Sequence, residues 1–278
     1  MHREIEKNHF LLNGNAYPTS EFEPEKAIAY PSVYEVVRVM NGVPLFWEAH
    51  LERMKKSVAL LGYEFPFDSP EIYAQLLELI RINQVTSHNI KLVMNQLNEN
   101  KPDLYVFFIT SHYPSPEQQQ QGVPVILHHA ERKTPHAKVI STDFRKPILT
   151  AMKKAGAYEA LLVNSEGEVT EGSRSNFFVV KDGRFYTAPT SKVLEGVTRK
   201  CVLSLLGRLG YPCTEQTISR AFLETADGLF LTGTSPGVLP VSRVDDQPFP
   251  SAGLKEVRDI QGLYHHFVKT YVDVNQPR

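Results

Sequence analysis

Nine consecutive residues in the middle of the chain, Pro114-Ser115-Pro116-Glu117-Gln118-Gln119-Gln120-Gln121-Gly122, carry no large apolar side chain. A stretch with nothing to bury does not belong in a core, and its Pro, Ser and Gly interrupt regular structure. In a chain of 278 residues such a break separates two cores. The sequence therefore predicts an α+β protein in two domains: residues 1–116 as a small N-terminal domain, 117–122 as a linker and 123–278 as a larger domain.

The pattern on each side supports this division. Val33-Tyr34-Glu35-Val36-Val37-Arg38-Val39 is rich in β-branched residues, and Asn41-Gly42 then leads into Val43 to Trp47, a strong hairpin signal. Tyr34, Val36 and Arg38 share one face of that strand. Leu51, Met54, Val58 and Leu61 recur at helical spacing from Glu48 to Leu61, with His50, Arg53 and Ser57 as the neighbouring stripe. A second helix is expected from Ser69, as N-cap, to about Gln84, and strands near Ile90–Asn95 and Leu104–Ser111. After the break come short strands at Ala160–Val163, Glu168–Thr170, Asn176–Val180 and Arg184–Thr187, with turns at Glu166-Gly167 and Asp182-Gly183. A helix from Thr198 to Leu209, a strand at Gly228–Thr232 and a last helix from Gly253 to Val272 complete the reading.

Hydrophobic residues make up 42% and charged residues 22%, with a net charge of -1, which argues against a nucleic-acid partner. No segment has the length and apolarity of a membrane span. Cys201 and Cys213 cannot build a disulfide framework and fit a reducing compartment. The charged start, Met1-His2-Arg3-Glu4-Ile5-Glu6-Lys7, does not read as a signal peptide, so a cytoplasmic location is expected.

Three constellations could carry chemistry. The pairs His128-His129 and His265-His266 are adjacent in sequence, so their side chains diverge, and there is no HExxH; a structural role is the better reading, and no metal is expected. Gly233-Thr234-Ser235-Pro236-Gly237 matches GxSxG literally, with Asp245 and His265 following in the order of a hydrolase triad. A nucleophile elbow needs a helix straight after its serine, whereas Pro236, Gly237 and Pro240 intervene here. The third constellation is a phosphate cup: Leu194-Glu195-Gly196-Val197-Thr198 runs into a helix start, where backbone amides bind anions. The Gly233-Thr234-Ser235 loop and Arg53 could complete it. Taken singly, Thr198 reads as an N-cap, Arg53 as a solvated helix residue and Gly233 as a turn.

Taken together, the residues resemble the class IV aminotransferases, the fold-type-IV enzymes of pyridoxal 5'-phosphate (PLP) that include branched-chain aminotransferases, D-amino acid aminotransferases and aminodeoxychorismate lyases. The resemblance runs from Leu12-Asn13-Gly14 through Val33 to Arg38, His50-Leu51-Glu52-Arg53 and Tyr158-Glu159-Ala160. It continues with Glu168-Val169-Thr170-Glu171-Gly172-Ser173, Ser175-Asn176-Phe177-Phe178 and Leu194 to Arg199, and ends at Thr232 to Ser235 and Leu239-Pro240-Val241. It implies that a lysine set back from the glutamate of the Val169 to Ser173 motif carries the cofactor. Counting back 33 places from Glu171 reaches Lys138; the residues alone do not distinguish it from Lys146, Lys153 or Lys154. By the same resemblance Glu171 faces the pyridine nitrogen, Arg53, Val197, Thr198, Thr234 and Ser235 hold the phosphate, and Leu194 packs on the ring. Tyr34 and Arg38 touch substrate.

The resemblance further implies a two-domain fold with PLP between the domains, and a homodimer in which the Tyr30 to Arg38 region reaches the partner. The reaction implied is transfer of an amino group between an amino acid, with a lean to branched-chain, and a 2-oxo acid. Aminodeoxychorismate lyase is the alternative, and a serine hydrolase on Ser235 a distant one. Three departures bear on the substrate: Tyr30-Pro31-Ser32 stands where the family has a glycine-aspartate-glycine turn, Phe107 to His112 lacks the arginine of the D-amino acid enzymes, and Val139-Ile140-Ser141-Thr142 lacks the family asparagine after the lysine.

Overall fold

The computed structural model describes residues 4–276. Met1–Arg3 and residues 277–278, which entered the reading of the N-terminus and the domain bounds, lie outside that range. The chain forms two compact units: one takes the chain up to His112, then Ala137–Ile140 and the chain from Val268 on; the other takes Tyr113–His136 and Ser141–Phe267.

In the first unit β1 (Ile5–Leu12), β2 (Asn15–Pro18), β3 (Val33–Met40), β4 (Val43–Pro44), β5 (Ser87–Asn95) and β6 (Asp103–Ile109) form an antiparallel sheet in the order β2-β1-β6-β5-β3-β4. Its helices are the short α1 (Pro24–Ala27), α2 (Trp47–Leu60) and α3 (Ser69–Asn83). Strand β3 alternates strictly: Val33, Glu35, Val37 and Val39 are buried, while Tyr34, Val36, Arg38 and Met40 are half-buried. Its buried valines pack with Leu51, Met54 and Val58 of α2 and Leu76 and Leu79 of α3. The Asn41-Gly42 hairpin is present, with both residues at positive φ (50° and 78°), as a type I′ turn requires. The other sheet face carries an aromatic cluster of Phe10, Phe22, Tyr105 and Phe107, with Phe22 and Phe107 centroids 4.8 Å apart.

Two helix starts differ from expectation. The cap of α3 is Asp68, with Ser69 and Pro70 inside the first turn. Helix α2 starts at Trp47 after Phe46, which is left-handed (φ 51°). A bulky residue in that region costs about 1–2 kcal/mol. Burial of Phe46 and its contact with Tyr271, at 4.7 Å between ring centroids, offset the cost.

The second unit opens with α4 (Pro116–Gln121) and β7 (Val123–His129). The residues expected as a linker are thus largely helical: Ser115 caps α4, accepting from the Gln118 amide while the Gln118 side chain accepts from the Ser115 amide. Glutamine is a good helix former once the first turn is capped. There follow α5 (Thr142–Ala155), β8 (Glu159–Val163), β9 (Glu168–Gly172), β10 (Asn176–Lys181), β11 (Arg184–Thr187), α6 (Val197–Leu209), β12 (Cys213–Glu215), β13 (Ile218–Ser219) and α7 (Arg220–Glu224). The chain then runs through β14 (Gly228–Gly233), β15 (Gly237–Val244), β16 (Gln247–Pro248) and α8 (Lys255–Asn275). The sheet is mixed, in the order β12-β11-β10-β14-β15-β7-β8-β9-β13, with β16 beside β15. At its centre Phe178 of β10 lies across from Phe230 of β14, the rings stacked at 5.1 Å. That pair, fully buried, fixes the register of the two strands whose ends carry candidate site residues.

Candidate active site

In the first unit the site is organised by one stripe of α2. His50, Arg53 and Ser57 fall at helical spacing and face inward. Arg53 grips the buried Glu35 of β3 with two parallel hydrogen bonds, Nε to Oε1 at 2.6 Å and an Nη2 bond to Oε2 at 2.8 Å. His50 Nδ1 lies 2.8 Å from the same Oε2. Burial alone would raise the Glu35 pKa, but the Arg53 charge and the hydrogen bonds from Arg53 and His50 outweigh it and hold the carboxyl well below its usual range. A carboxylate only accepts, so His50 donates through Nδ1. Burial pushes the His50 pKa down against the pull of Glu35, with Arg53 and Lys138 adding to the depression.

Ser57 continues the stripe, and its Oγ accepts the backbone N–H of Lys138 at 3.1 Å. On the other side the Lys138 carbonyl accepts the Tyr34 amide at 3.0 Å, and Val139 bridges Val33. Lys138 is thereby tied at its backbone to both α2 and β3. Its Nζ lies 4.7 Å from the centre of the Tyr34 ring. A second amine, Lys91 of β5, lies 5.2 Å from the same centre, pairing with Glu4 at 2.8 Å. Arg38 and Val36 share the half-buried face of Tyr34. Lys146, Lys153 and Lys154 lie instead on α5, exposed.

In the second unit Glu171 is the last residue but one of β9, its side chain only 5% exposed. The Leu194 amide donates to its Oε2 at 3.2 Å. The turn that follows explains the Gly-Ser-Arg-Ser sequence. Buried Glu159 accepts from Ser173 Oγ at 2.5 Å and from Ser175 Oγ at 3.0 Å. A Cβ on Gly172 would lie 2.0 Å from Ser175 Oγ, so a larger residue would displace the Ser175 hydroxyl from Glu159. Next, Asn176 pairs across the sheet with Thr232, and its Nδ2 donates to the Leu194 carbonyl at 2.9 Å. One side chain thus ties the loop before α6 to the end of β14.

Helix α6 begins at Val197, with Gly196 as N-cap, a residue with no side chain to bond its first amides. Thr198 is therefore not the cap; it sits buried in the first turn beside Arg199, which reaches back to the Ala188 carbonyl at 2.9 Å. The amides of that turn have no intrahelical acceptor and suit an anion. Beyond β14, Thr234 and Ser235 form the tight turn into β15, with Gly233 paired to Gly237. An antiparallel hairpin is not a strand-to-helix elbow, so Ser235 lacks the geometry of a hydrolase nucleophile.

The residues of each unit fit PLP. There is an amine at Lys138 for its aldehyde, a nearly buried carboxylate at Glu171 for its ring nitrogen, and for its phosphate a helix start without a side-chain cap. The fit is supported by an orphan: the hydroxyl of Thr232, 1% exposed, has no hydrogen-bond partner among the described residues, next to the Gly233–Ser235 turn. Sequence reasoning missed Glu35, Lys91 and Arg132. For Glu35 a signal existed, since it is a charge in the buried phase of an alternating strand.

Comparison with known proteins shows the family and the fold. The amino-transferase class IV family model matches residues 32–244. The D-alanine aminotransferase of Bacillus licheniformis is 31% identical over 229 residues, covering 79% of this chain and 81% of that protein. The branched-chain-amino-acid aminotransferase of Pseudomonas aeruginosa is 28% identical over 254 residues, covering 85% and 80%. The crystal structure of the T.th. branched-chain amino acid aminotransferase with pyridoxamine 5'-phosphate superposes with a TM-score of 0.83 at 27% identity, covering 96% of each chain. The two sheets with their outer helices are the fold of an amino-transferase of this class. The chain belongs to the class IV aminotransferase family.

Proposed function

We propose that the chain moves an amino group between an amino acid and a 2-oxo acid with PLP held on Lys138. The observation that carries this reading is the placement of Lys138, fixed at its N–H by Ser57 and at its carbonyl by Tyr34, with its amine over the Tyr34 ring. Glu171 faces the ring nitrogen, Leu194 packs against the ring, and the Val197 and Thr198 amides with Thr234, Ser235 and Arg53 hold the phosphate. Bound there, PLP draws electrons from the substrate's α-carbon so that its C–H bond can break. The Lys138 amine would hold the proton taken from the α-carbon and give it back, so one lysine would serve both directions. Arg53 meets the phosphate from a fixed position, because Glu35 holds its guanidinium fork.

Tyr34, Val36 and Arg38 offer the substrate an apolar strip with a cation at its end. This supports an aliphatic, branched-chain amino acid, with 2-oxoglutarate or pyruvate as the acceptor. The named relatives act on both D-alanine and branched-chain amino acids, so the panel must hold both enantiomers. Borohydride reduction of the holoenzyme and peptide mapping should place a pyridoxyl group on Lys138, and Lys138→Ala should abolish turnover and the visible absorption band. A label on Lys146, Lys153 or Lys154 would refute the assignment. Release of pyruvate from aminodeoxychorismate, with no transfer from any amino acid in the panel, would establish the lyase instead.

The proposal includes a cytoplasmic homodimer. The Tyr30 to Arg38 region, where Tyr30 is 85% exposed, is the part proposed to reach the partner. Sedimentation at micromolar concentration should show a dimer; full activity in a monomer would contradict it. Among the described residues no helix is long and apolar enough to cross a membrane.

A further inference from the structure

Glu171 is gripped by a residue that no motif singles out. Arg132 lies in the loop after β7, three residues beyond His129. The loop is pinned beside it: the Ala130 amide donates to the Val163 carbonyl, and Glu131 accepts from the amide and hydroxyl of Ser165 at 3.2 and 2.9 Å. From this base the Arg132 guanidinium donates Nε to Glu171 Oε1 at 2.8 Å and Nη2 to the Ser173 carbonyl at 2.6 Å. Its central carbon lies 5.0 Å from the centre of the Phe144 ring, so an aromatic group supports the fork.

We propose that Arg132 is a positioning residue, which sets the Glu171 carboxylate for the ring nitrogen of PLP. The inference rests on the reading of Glu171 given above. Held at Oε1 by Arg132 and at Oε2 by the Leu194 amide, the carboxylate cannot rotate. Its fixed plane decides where the oxygen lone pairs point. Arg132 also ties Glu171 to the turn after it, so that the side chain and the Ser173 backbone move as one. The ring-nitrogen proton then faces an acceptor already in place, which is worth more than one that must be ordered when the cofactor binds. A lysine at 132 would keep the charge and lose the two-point grip.

The test uses the holoenzyme loaded with PLP carrying 15N at the ring nitrogen, and compares wild type with R132M, R132K and E171Q. The readouts are the 15N shift across pH, the visible band across pH, and kcat and KM separately. In R132M the loss of a placed acceptor should outweigh the removal of a nearby cation, so that the ring nitrogen loses its proton about one to two pH units lower than in wild type, and kcat should fall about 10- to 100-fold, the worth of one hydrogen bond to a charged group. KM should change by less than about threefold, because Arg132 acts through Glu171. R132K should fall between R132M and wild type in the 15N titration. A wild-type 15N titration in R132M beside a shifted one in E171Q would overturn the role of Arg132 and leave Glu171 as the ring partner, even if R132M were less stable to heat. Unshifted titrations in both R132M and E171Q would overturn the reading of Glu171 and the inference with it.

Discussion

At the scale of single residues, the first unit's part of the site is a chain of dependence from a buried acid to a basic side chain. Glu35, with its side chain 1% exposed, has no ligand of its own; its work is to satisfy Arg53 and His50. Removing one partner of a buried ion pair costs more than the pair itself contributes, because the remaining charge stays desolvated. Glu35→Ala should therefore lower stability by about 3–5 kcal/mol in chemical denaturation. It should also weaken PLP binding, since the released Arg53 fork no longer faces one direction. Loss of stability with unchanged PLP affinity would show that Arg53 does not serve the phosphate.

At the scale of elements, the proposed anion cradle depends on where α6 starts. A Cβ on Gly196 would lie 2.1 Å from Asn176 Oδ1, so Gly196→Ala must displace either the helix start or the side chain that links it to β14. PLP affinity should fall about 10-fold or more, as expected for losing a hydrogen bond to a charged group; isothermal titration with PLP checks this, and wild-type affinity would remove α6 from the site. Elements were legible in the sequence where the local pattern had one physical meaning. Strand β3 and its turn are an example, because β-branched alternation followed by Asn-Gly has few other solutions. Strand β1 was not read, since its pairing shifts register between Glu6 and Leu11 and Lys7 adopts positive φ (70°), which breaks the alternation. Helix α5 escaped because Pro147 lies inside it and Arg and Lys crowd its sequence. The site divided in the same way. Val197, Thr198 and Glu171 sit in motifs with a local shape. Lys138 came only through family spacing, and Arg132 gave no local signal, since its partner is 39 residues away.

At the scale of the whole molecule, buried titratable groups set the response to acid. His50 has its folded pKa below the ordinary value of 6.5 through burial, so as pH drops below 6.5 the unfolded imidazole takes a proton that the folded one refuses. Glu35 is held ionised in the folded state, so its contribution is complete above the unfolded value of 4.5 and is lost as pH falls below it toward the depressed folded value. Both act in the same direction. The melting temperature should fall from about pH 6.5 and more steeply below about 4.5. In His50→Asn the fall between those values should shrink, and an unchanged profile would assign it to other groups. The division of the chain has a different consequence, in the order of synthesis. The first unit takes Ala137–Ile140 and the chain from Val268 on, and Tyr271 bonds Glu48 across 223 residues of sequence. A ribosome releases the strands of that unit first, yet the segment bearing Lys138 and the aromatic ring that covers Phe46 emerge only afterwards. The unit that begins folding first is thus the last to be finished: all six strands of its sheet are made early, and the ring against Phe46 arrives only after the whole of the other unit.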